Sequence, residues 1–519
     1  MSVTELVFGI EIAGHFDSWH RAATGVSAKG MDLFDTLSRF WPHLASGFHV
    51  LAALLASIHA LLHKRDSRSA TLWLVTIWFL PVLGPILYLA LGINRIRRRA
   101  ISLGTHNNVA RPIPKHFGES QTDGVAHLEM LARVVGRVVA QPLTPGNRLQ
   151  PLVNGDEAFP AMLSAIESAQ KSISLLTYIF DNDASGKQFA EALGNATKRG
   201  VEVRVLIDAA GTRYSWPRIN HKLKHAHVPF AMFLPSSLLA PWRVATINLR
   251  NHRKILVTDG KTAFTGGMNI RQGNVLARKP KHPVQDLHFR LQGPVVQQLQ
   301  EAFANDWAFT IGETLRGERW FPELQESGTV IARVIIDGPD ADFEKLRWTL
   351  LAALAEAQTS VQILTPYFLP DQALITALNL AALRGVRVDI LLPEKNNLPF
   401  VHWASRGMWW QVLEHGSRVW LTPPPFDHSK LMIVDGHWVL LGSANWDARS
   451  LRLNFELNVE AYGRHFAEQM GQVIQEKLRG AREVTLAEVE GAKLSGKTAR
   501  LHRALILALF VTYFLEEKT

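Results

Sequence analysis

Two stretches of the sequence set a lysine two residues after a histidine and an aspartate five residues beyond the lysine. The first reads Asn251-His252-Arg253-Lys254-Ile255-Leu256-Val257-Thr258-Asp259 and continues to Gly266-Gly267-Met268-Asn269. The second reads Asp427-His428-Ser429-Lys430-Leu431-Met432-Ile433-Val434-Asp435 and continues to Gly442-Ser443-Ala444-Asn445. Residues i and i+2 of a strand share a face, so His252 points with Lys254 and His428 with Lys430. The apolar residues that follow mark both strands as buried, and a buried ammonium group needs an anion beside it. Two imidazoles and two lysines converging from two copies, with Asn269 and Asn445 adding hydrogen-bond donors, would hold a phosphate. Such a set can transfer a phosphodiester without a metal ion. One imidazole attacks phosphorus, the other protonates the leaving oxygen, and the lysines stabilise the non-bridging oxygens. Imidazole suits both roles near neutral pH. Asp259 and Asp435 are grouped with this catalytic set, although closing a turn at a strand end is the simpler role for them. The Gly-Gly and Gly-Ser pairs are turns that let backbone approach a ligand closely.

A single His-x-Lys on a strand carries little information, but here the whole pattern is duplicated, and so is its setting. Ala169-Gln170-Lys171-Ser172-Ile173-Ser174-Leu175-Leu176-Thr177 lines up with Ala357-Gln358-Thr359-Ser360-Val361-Gln362-Ile363-Leu364-Thr365, and Arg199-Gly200-Val201 with Arg384-Gly385-Val386. In each copy a helix leads into a β-branched strand, a second helix closes at Arg-Gly, and a second strand follows. The repeat predicts an α/β protein of two tandem halves, residues 146–325 and 326–485, each a sheet covered by helices.

Upstream, Gly47 to Leu62 is nearly all apolar, Lys64, Arg65 and Arg68 interrupt, and Ala70 to Ile93 is apolar again. This reads as a membrane-spanning or re-entrant helical hairpin over 46–99. Its second arm, about 24 residues, is long enough for roughly 30 Å of hydrocarbon, and the first is the weaker crossing. Pro81, Gly84 and Pro85 should kink the second arm. A cleavable leader fits poorly, because the apolar runs come late, so the anchor should be retained. The basic cluster Arg95, Arg97, Arg98 and Arg99 favours both ends of the hairpin in the cytoplasm. Residues 1–45 form an extension without a functional account, 100–145 read as a linker, and 486–519 carry a short apolar helix from Ala504 to Leu515.

Composition agrees with a membrane-linked enzyme. Charged residues are 20% of the 519, apolar residues 47%, and the formal net charge is +10. The basic balance favours anionic partners, nucleic acid or anionic lipid. There is no cysteine, which excludes disulfides and thiolate metal sites.

At these residues the sequence resembles the phospholipase D superfamily, whose signature is His-x-Lys-x4-Asp followed by Gly-Gly or Gly-Ser and an Asn. Within it, the segments Asn248–Lys254 and Ser450–Asn458, and the Leu83-Gly84-Pro85 and Leu91-Gly92 of the hairpin, resemble bacterial cardiolipin synthases, over roughly residues 45 to 480. The resemblance implies two phospholipase D-like α/β/α sandwich halves about a pseudo-twofold axis, with the site between them and no metal or other cofactor. It implies His252 as nucleophile and His428 as acid and later base, with Asp286 and Glu456 orienting the imidazoles. It also implies phosphatidylglycerol as substrate, cardiolipin and glycerol as products, and residence in the bacterial inner membrane with the catalytic body cytoplasmic. A lipid acceptor implies a site that opens at the membrane, where Phe400, Trp403, Trp409 and Trp410 are candidates to lie. A phospholipase D using water, or a synthase using another alcohol, would share the same histidine chemistry. A nuclease fits the basic surface but not the apolar hairpin, so no nucleic-acid partner is expected. A non-catalytic lipid-binding protein would not be expected to keep both His-Lys pairs.

Overall fold

The computed structural model describes residues 28–64, 67–93, 126–139, 141–235, 249–339 and 342–491. The chain divides into two compact units, Met1–Leu89 and Ala90–Thr519.

In the first unit the helix Ala28–His63 turns back into the helix Ser67–Phe79. Trp78 Nε1 donates to Ser57 Oγ at 3.1 Å, and Val82 N donates to His49 Nδ1 at 3.1 Å, so the arms lie side by side. Small residues Ala53, Ala56 and Ala60 are buried on the inside with Trp73 and Ile77, while Leu51, Leu54, Leu55, Ile58, Leu61 and Leu62 face outward. That is the inverse of a water-soluble pair, with small residues at the helix contact and apolar ones outside. The hairpin expected from sequence is present, but the arms exchange roles. His43–His63 is the one described helix long and apolar enough to cross a membrane, and it runs on from a helix that already begins at Ala28, inside the segment read as a separate extension. The second arm, expected to be the long crossing, stops at Phe79. Pro81 has no N–H to continue the ladder, and Val82 turns to φ 63°. Arg95 and Arg97–Arg99, and with them the basis for an orientation, lie outside the described residues, as does Ala504–Leu515.

The second unit is built on a 15-stranded sheet. The first half supplies β1 (Thr144–Val153), β2 (Ser172–Thr177), β3 (Glu202–Asp208), β4 (Phe230–Phe233), β5 (Ile255–Thr258), β6 (Thr262–Gly266), β7 (Val284–Gln285) and β8 (Leu287–Gln292). The second supplies β9 (Val330–Asp337), β10 (Ser360–Leu364), β11 (Phe368–Leu369), β12 (Arg387–Pro393), β13 (Arg418–Thr422), β14 (Phe426–Asp427), β15 (Leu431–Val434), β16 (Trp438–Gly442), β17 (Trp446–Asp447), β18 (Glu456–Tyr462) and β19 (Arg482–Val484). The halves join where β1 pairs antiparallel with β9, Thr144 opposite Ala332. Outward from that seam the order is β8-β6-β5-β2-β3-β4 on one side and β18-β16-β15-β10-β12-β13 on the other, with β19 at the far edge. Corresponding strands take corresponding places, which gives the two similar halves expected from the repeat and the pseudo-twofold that the resemblance implied. β7 pairs with β14, and β11 with β17, in short ladders outside the sheet.

Both faces of the sheet are covered. Ile255 and Val257 of β5, and Leu431 and Ile433 of β15, enter one core that runs through both halves beneath the helices Val295–Ile311 and Arg464–Arg479. Leu256 enters a first-half core on the opposite face, and Met432 and Val434 a second-half core there. Alternation along a strand, with apolar residues at every position, forces this three-layer arrangement. The duplicated Arg-Gly proves to be a helix-end device. Gly200 and Gly385 take φ 86° and 88°, the left-handed turn after a helix. Arg199 donates to the carbonyls of Ile166 and Ala169, and Arg384 to those of Leu354 and Ala357, closing the end of the preceding helix in each copy.

The linker expected from sequence differs in this unit. Residues 126–138, placed in the linker, form a helix whose Leu128, Leu131 and Val135 are buried in the second-half core against the helix Lys345–Glu356. The apolar positions recur at helical spacing, a short period hidden behind a turn-rich stretch.

Candidate active site

The site is assembled at the ends of β5 and β15. His252 and Lys254 are not in the strand, as alternation suggested, but in the extended residues just before β5; His428 and Lys430 precede β15 in the same way. Each tripeptide is held by backbone from the opposite half. His252 N donates to Phe455 O at 2.9 Å, and Phe455 N to Arg250 O at 2.8 Å. His428 N donates to Gln285 O at 2.8 Å, extending the β7–β14 ladder. Beneath them lie buried ion pairs to the covering helices. Asp306 binds Arg253 at 2.6 Å and Asn251 at 2.8 Å, and Lys477 binds Asp427.

The backbone crossing brings the acids across as well. His252 Nδ1 lies 3.0 Å from both oxygens of Glu456, and His428 Nδ1 lies 2.8 Å from Asp286 Oδ2. A carboxylate can only accept, so each Nδ1 carries the proton and each Nε2 is left with its lone pair for chemistry. The two rings are 6.4 Å apart between centroids and perpendicular at 87°. Glu456 is itself fixed by Ser443 Oγ and by Asn454 Nδ2 at 3.0 Å. The first-half counterpart of Ser443 is Gly267, where a Cβ would stand 2.3 Å from Asp286 Oδ1. At Gly266 and Gly442 the close approach is to the neighbouring strand rather than to a ligand. A Cβ there would meet Leu287 O at 2.6 Å and Leu457 O at 2.4 Å.

Both lysines are buried, and each Nζ donates to the carbonyl oxygen of its own histidine, Lys254 to His252 and Lys430 to His428. Burial pushes Lys254 down to about 7 and Lys430 down to about 8, against the pull of Glu456 and Asp286. Burial also lowers His252, with the two lysines adding to the effect and Glu456 opposing it. Burial and then Lys430 push His428 down to about 4. Burial would raise Glu456, but His252, Lys254 and Ser443 outweigh it and hold the carboxyl at about 2. Burial thus favours the neutral form of both imidazoles and works against the charge of both lysines, while the Glu456 carboxyl is held ionised.

The remaining expected residues divide. Asn269 Oδ1 accepts Ile179 N at 3.2 Å, which leaves its amide hydrogens as donors, whereas Asn445 directs Nδ2 to Ser450 Oγ at 3.1 Å. Asp259 and Asp435 stand at the far ends of β5 and β15, about 16 Å from the lysines at strand rise, and touch none of the site. Each sits at positive φ and collects backbone N–H groups at the start of a neighbouring strand, Asp259 from Gln170, Lys171 and Ser172, Asp435 from Gln358, Thr359 and Ser360. Sequence reading missed Tyr178 and Tyr367, whose rings edge onto His252 at 5.2 Å and His428 at 6.4 Å. It also missed Asp208, which accepts Asn251 N at 2.7 Å and so fixes the residue before His252. A tyrosine one or two residues after the corresponding threonine, Tyr178 after Thr177 and Tyr367 after Thr365, was the available signal.

With this geometry in view, the comparisons with known proteins are specific. The family described as "Cardiolipin synthase, PLD-like domain" matches residues 162–307 and 350–478. The one described as "Phospholipase_D-nuclease N-terminal" matches residues 51–92. The chain is 33% identical to the major cardiolipin synthase ClsA of Bacillus subtilis over 86% of its own length and 94% of that protein. It is 31% identical to a cardiolipin synthase of Staphylococcus aureus over 85% of its length and 91% of that protein. Among solved structures, phosphatidylserine synthase of Haemophilus influenzae superposes with a TM-score of 0.58 at 14% identity, covering 75% of this chain and all of that one, which shows a shared fold.

Proposed function

The chain belongs to the bacterial-type cardiolipin synthases of the phospholipase D superfamily and is a phosphatidyltransferase, and we propose that it joins two phosphatidylglycerols, releasing glycerol, through a phosphatidyl-histidine. The observation that carries this reading is the crossed pair of imidazoles, each tied at Nδ1 to the other half's carboxylate, with a buried lysine beside each. One tetrahedral phosphate fits between rings so spaced. The two ammonium groups hold its non-bridging oxygens, and Asn269 adds a donor.

In the first step His252 Nε2 forms a bond to phosphorus, the bond from phosphorus to the glycerol oxygen breaks, and His428 gives that oxygen a proton. The phosphodiester anion counters the lysines that depress His428, which lets the ring carry the proton it donates. Glycerol leaves. In the second step the free hydroxyl of another phosphatidylglycerol attacks phosphorus, its proton passes to His428, and the phosphorus–nitrogen bond breaks to give cardiolipin. Glu456 stabilises the charge that His252 acquires when it is phosphorylated. The apolar hairpin and its outward leucines support a membrane anchor for this reaction.

The deciding experiment is mass spectrometry of lipids formed by purified protein in phosphatidylglycerol micelles. Cardiolipin and glycerol in equal amounts are expected. Phosphatidic acid as the main product would mean that water is the acceptor, and an alcohol headgroup other than glycerol in the product would mean another acceptor.

A further inference from the structure

A tyrosine edges onto each active-site histidine, and in both halves a contact of that tyrosine leads to a segment that carries exposed aromatic side chains. In the first half Tyr178, at the edge of His252, packs on Tyr214 at 6.2 Å, and Tyr214 leads to Trp216. Tyr214 is 62% exposed and Trp216 89%. In the second half Tyr367, at the edge of His428, donates its hydroxyl to Asn397 at 2.8 Å, and Asn397 leads into the helix Pro399–Arg406. Phe400 and Trp403 pack edge to face on its outer side and are 57% and 45% exposed. Trp409 does not join them. It is buried, with Nε1 on Ser405 Oγ, and serves to hold the turn. The two aromatic segments follow β3 and β12, which occupy corresponding places in the sheet, so the pair flanks the site under the pseudo-twofold.

Burying this much aromatic surface in water-free contact is favourable, and leaving it in water is not. The charge along the two segments themselves points to the partner. No acidic residue occurs between Asp208 and Asp259, a stretch that holds Arg213, Arg218, Lys222 and Lys224, and none occurs between Glu394 and Glu414, which holds Lys395 and Arg406. Aromatic side chains set among basic ones are suited to the headgroup level of an anionic bilayer. We propose that Tyr214 and Trp216 from one half, and Phe400 and Trp403 from the other, form a collar that seats the active-site mouth in an anionic lipid surface. Donor and acceptor lipids then reach the histidines by lateral movement without crossing water. The proposal rests on a lipid substrate as read above.

The chain has no cysteine, so Trp216→Cys and Phe400→Cys each give a single site for a nitroxide label in the full-length protein. The protein is reconstituted in vesicles of equimolar phosphatidylcholine and phosphatidylglycerol, with Glu468→Cys, on the exposed side of the helix Arg464–Arg479, as the aqueous control. Labels at 216 and 400 should be relaxed by oxygen more than by a water-soluble nickel chelate, and the label at 468 the reverse. Water-exposed labels at 216 and 400 overturn the proposal. So does spin–spin broadening, or protection from both relaxants that persists in detergent, since a second copy of the chain would then cover the surface. A kinetic arm uses Trp216→Ser with Trp403→Ser. The rate on bilayer phosphatidylglycerol should fall about tenfold or more, as expected when interfacial aromatics are lost, while the rate on monomeric short-chain phosphatidylglycerol stays close to wild type. Equal losses on both substrates would overturn the collar. The label measurement does not depend on turnover, so lipid-embedded labels in a protein that makes no cardiolipin would count against the proposed reaction alone.

Discussion

At the residue scale, the proposed chemistry rests on a difference between two imidazoles in matching positions. His252 is held by both oxygens of Glu456, which Ser443 and Asn454 also fix; His428 has one contact to Asp286. His252→Ala should abolish transfer and leave no covalent adduct when labelled phosphatidylglycerol is trapped and denatured. His428→Ala should lose roughly 10² to 10⁴ in rate, the usual worth of a positioned acid, while still loading label slowly. Label on His428 in the wild type would reverse the two roles. The lysines give a pH signature. With Lys254 at about 7 and Lys430 at about 8 in the free enzyme, raising pH removes the charges proposed to bind phosphate. The profile of kcat/KM should therefore turn down between about pH 7 and 8, as a property of the coupled pair. Activity that stays level to about pH 10, the ordinary lysine range, would show that the ammonium groups do not titrate as a buried pair.

At the element scale, the aspartate of the His-x-Lys-x4-Asp pattern stands in a turn, and we propose that it supports the fold rather than the reaction. Asp435 stands at φ 52° after β15, and its carboxylate gathers the N–H groups that open β10. Those hydrogen bonds, over the cost of burial, hold the carboxyl below the usual range. A depressed pKa contributes stability at pH values above the unfolded carboxyl pKa and loses it as pH falls through the folded one. Asp435→Ala should cost about 1.5 to 3 kcal/mol at neutral pH, the range for hydrogen bonds to a charged group. The folded variant should keep kcat within a few-fold of wild type. Denaturant melts alongside turnover measurements check this, and a variant of unchanged stability with lost turnover would return Asp435 to the catalytic set.

At the scale of the whole molecule, neither half owns a complete site. Glu456 comes from β18 of the second half to a histidine of the first, and Asp286 makes the reverse crossing. Glu456→Gln should therefore slow adduct formation on His252, a residue of the other half, by about a hundredfold or more, since the charge that supports the imidazolium is removed. Asp286→Asn should leave the adduct forming at His252 more nearly intact and slow its transfer to the acceptor. Rapid-quench measurement of the two steps separates them. The opposite pattern would mean that each acid serves the histidine of its own half.

Much of this was legible in one dimension. The duplicated His-x-Lys offsets single out the residues that meet in the candidate site, because chemistry constrains residue type directly. The repeated strand and helix pattern specifies two α/β halves, because periodicity records which face is buried. Other features were settled only by tertiary structure. Asp286 and Glu456 are visible as candidates, but spacing along the chain cannot say that each crosses to the other half's histidine. That follows from the β1–β9 seam and the exchanged backbone bonds at Phe455 and Gln285. Nor does the sequence separate Trp409 from Trp403, which differ in exposure because the turn after the helix Pro399–Arg406 folds Trp409 back onto Ser405 while Trp403 stays on the helix's outer side. Sequence fixes what a side chain can do. Whether it faces a phosphate, a turn or a lipid surface depends on contacts between residues far apart in the chain, and those exist only once the two halves have packed.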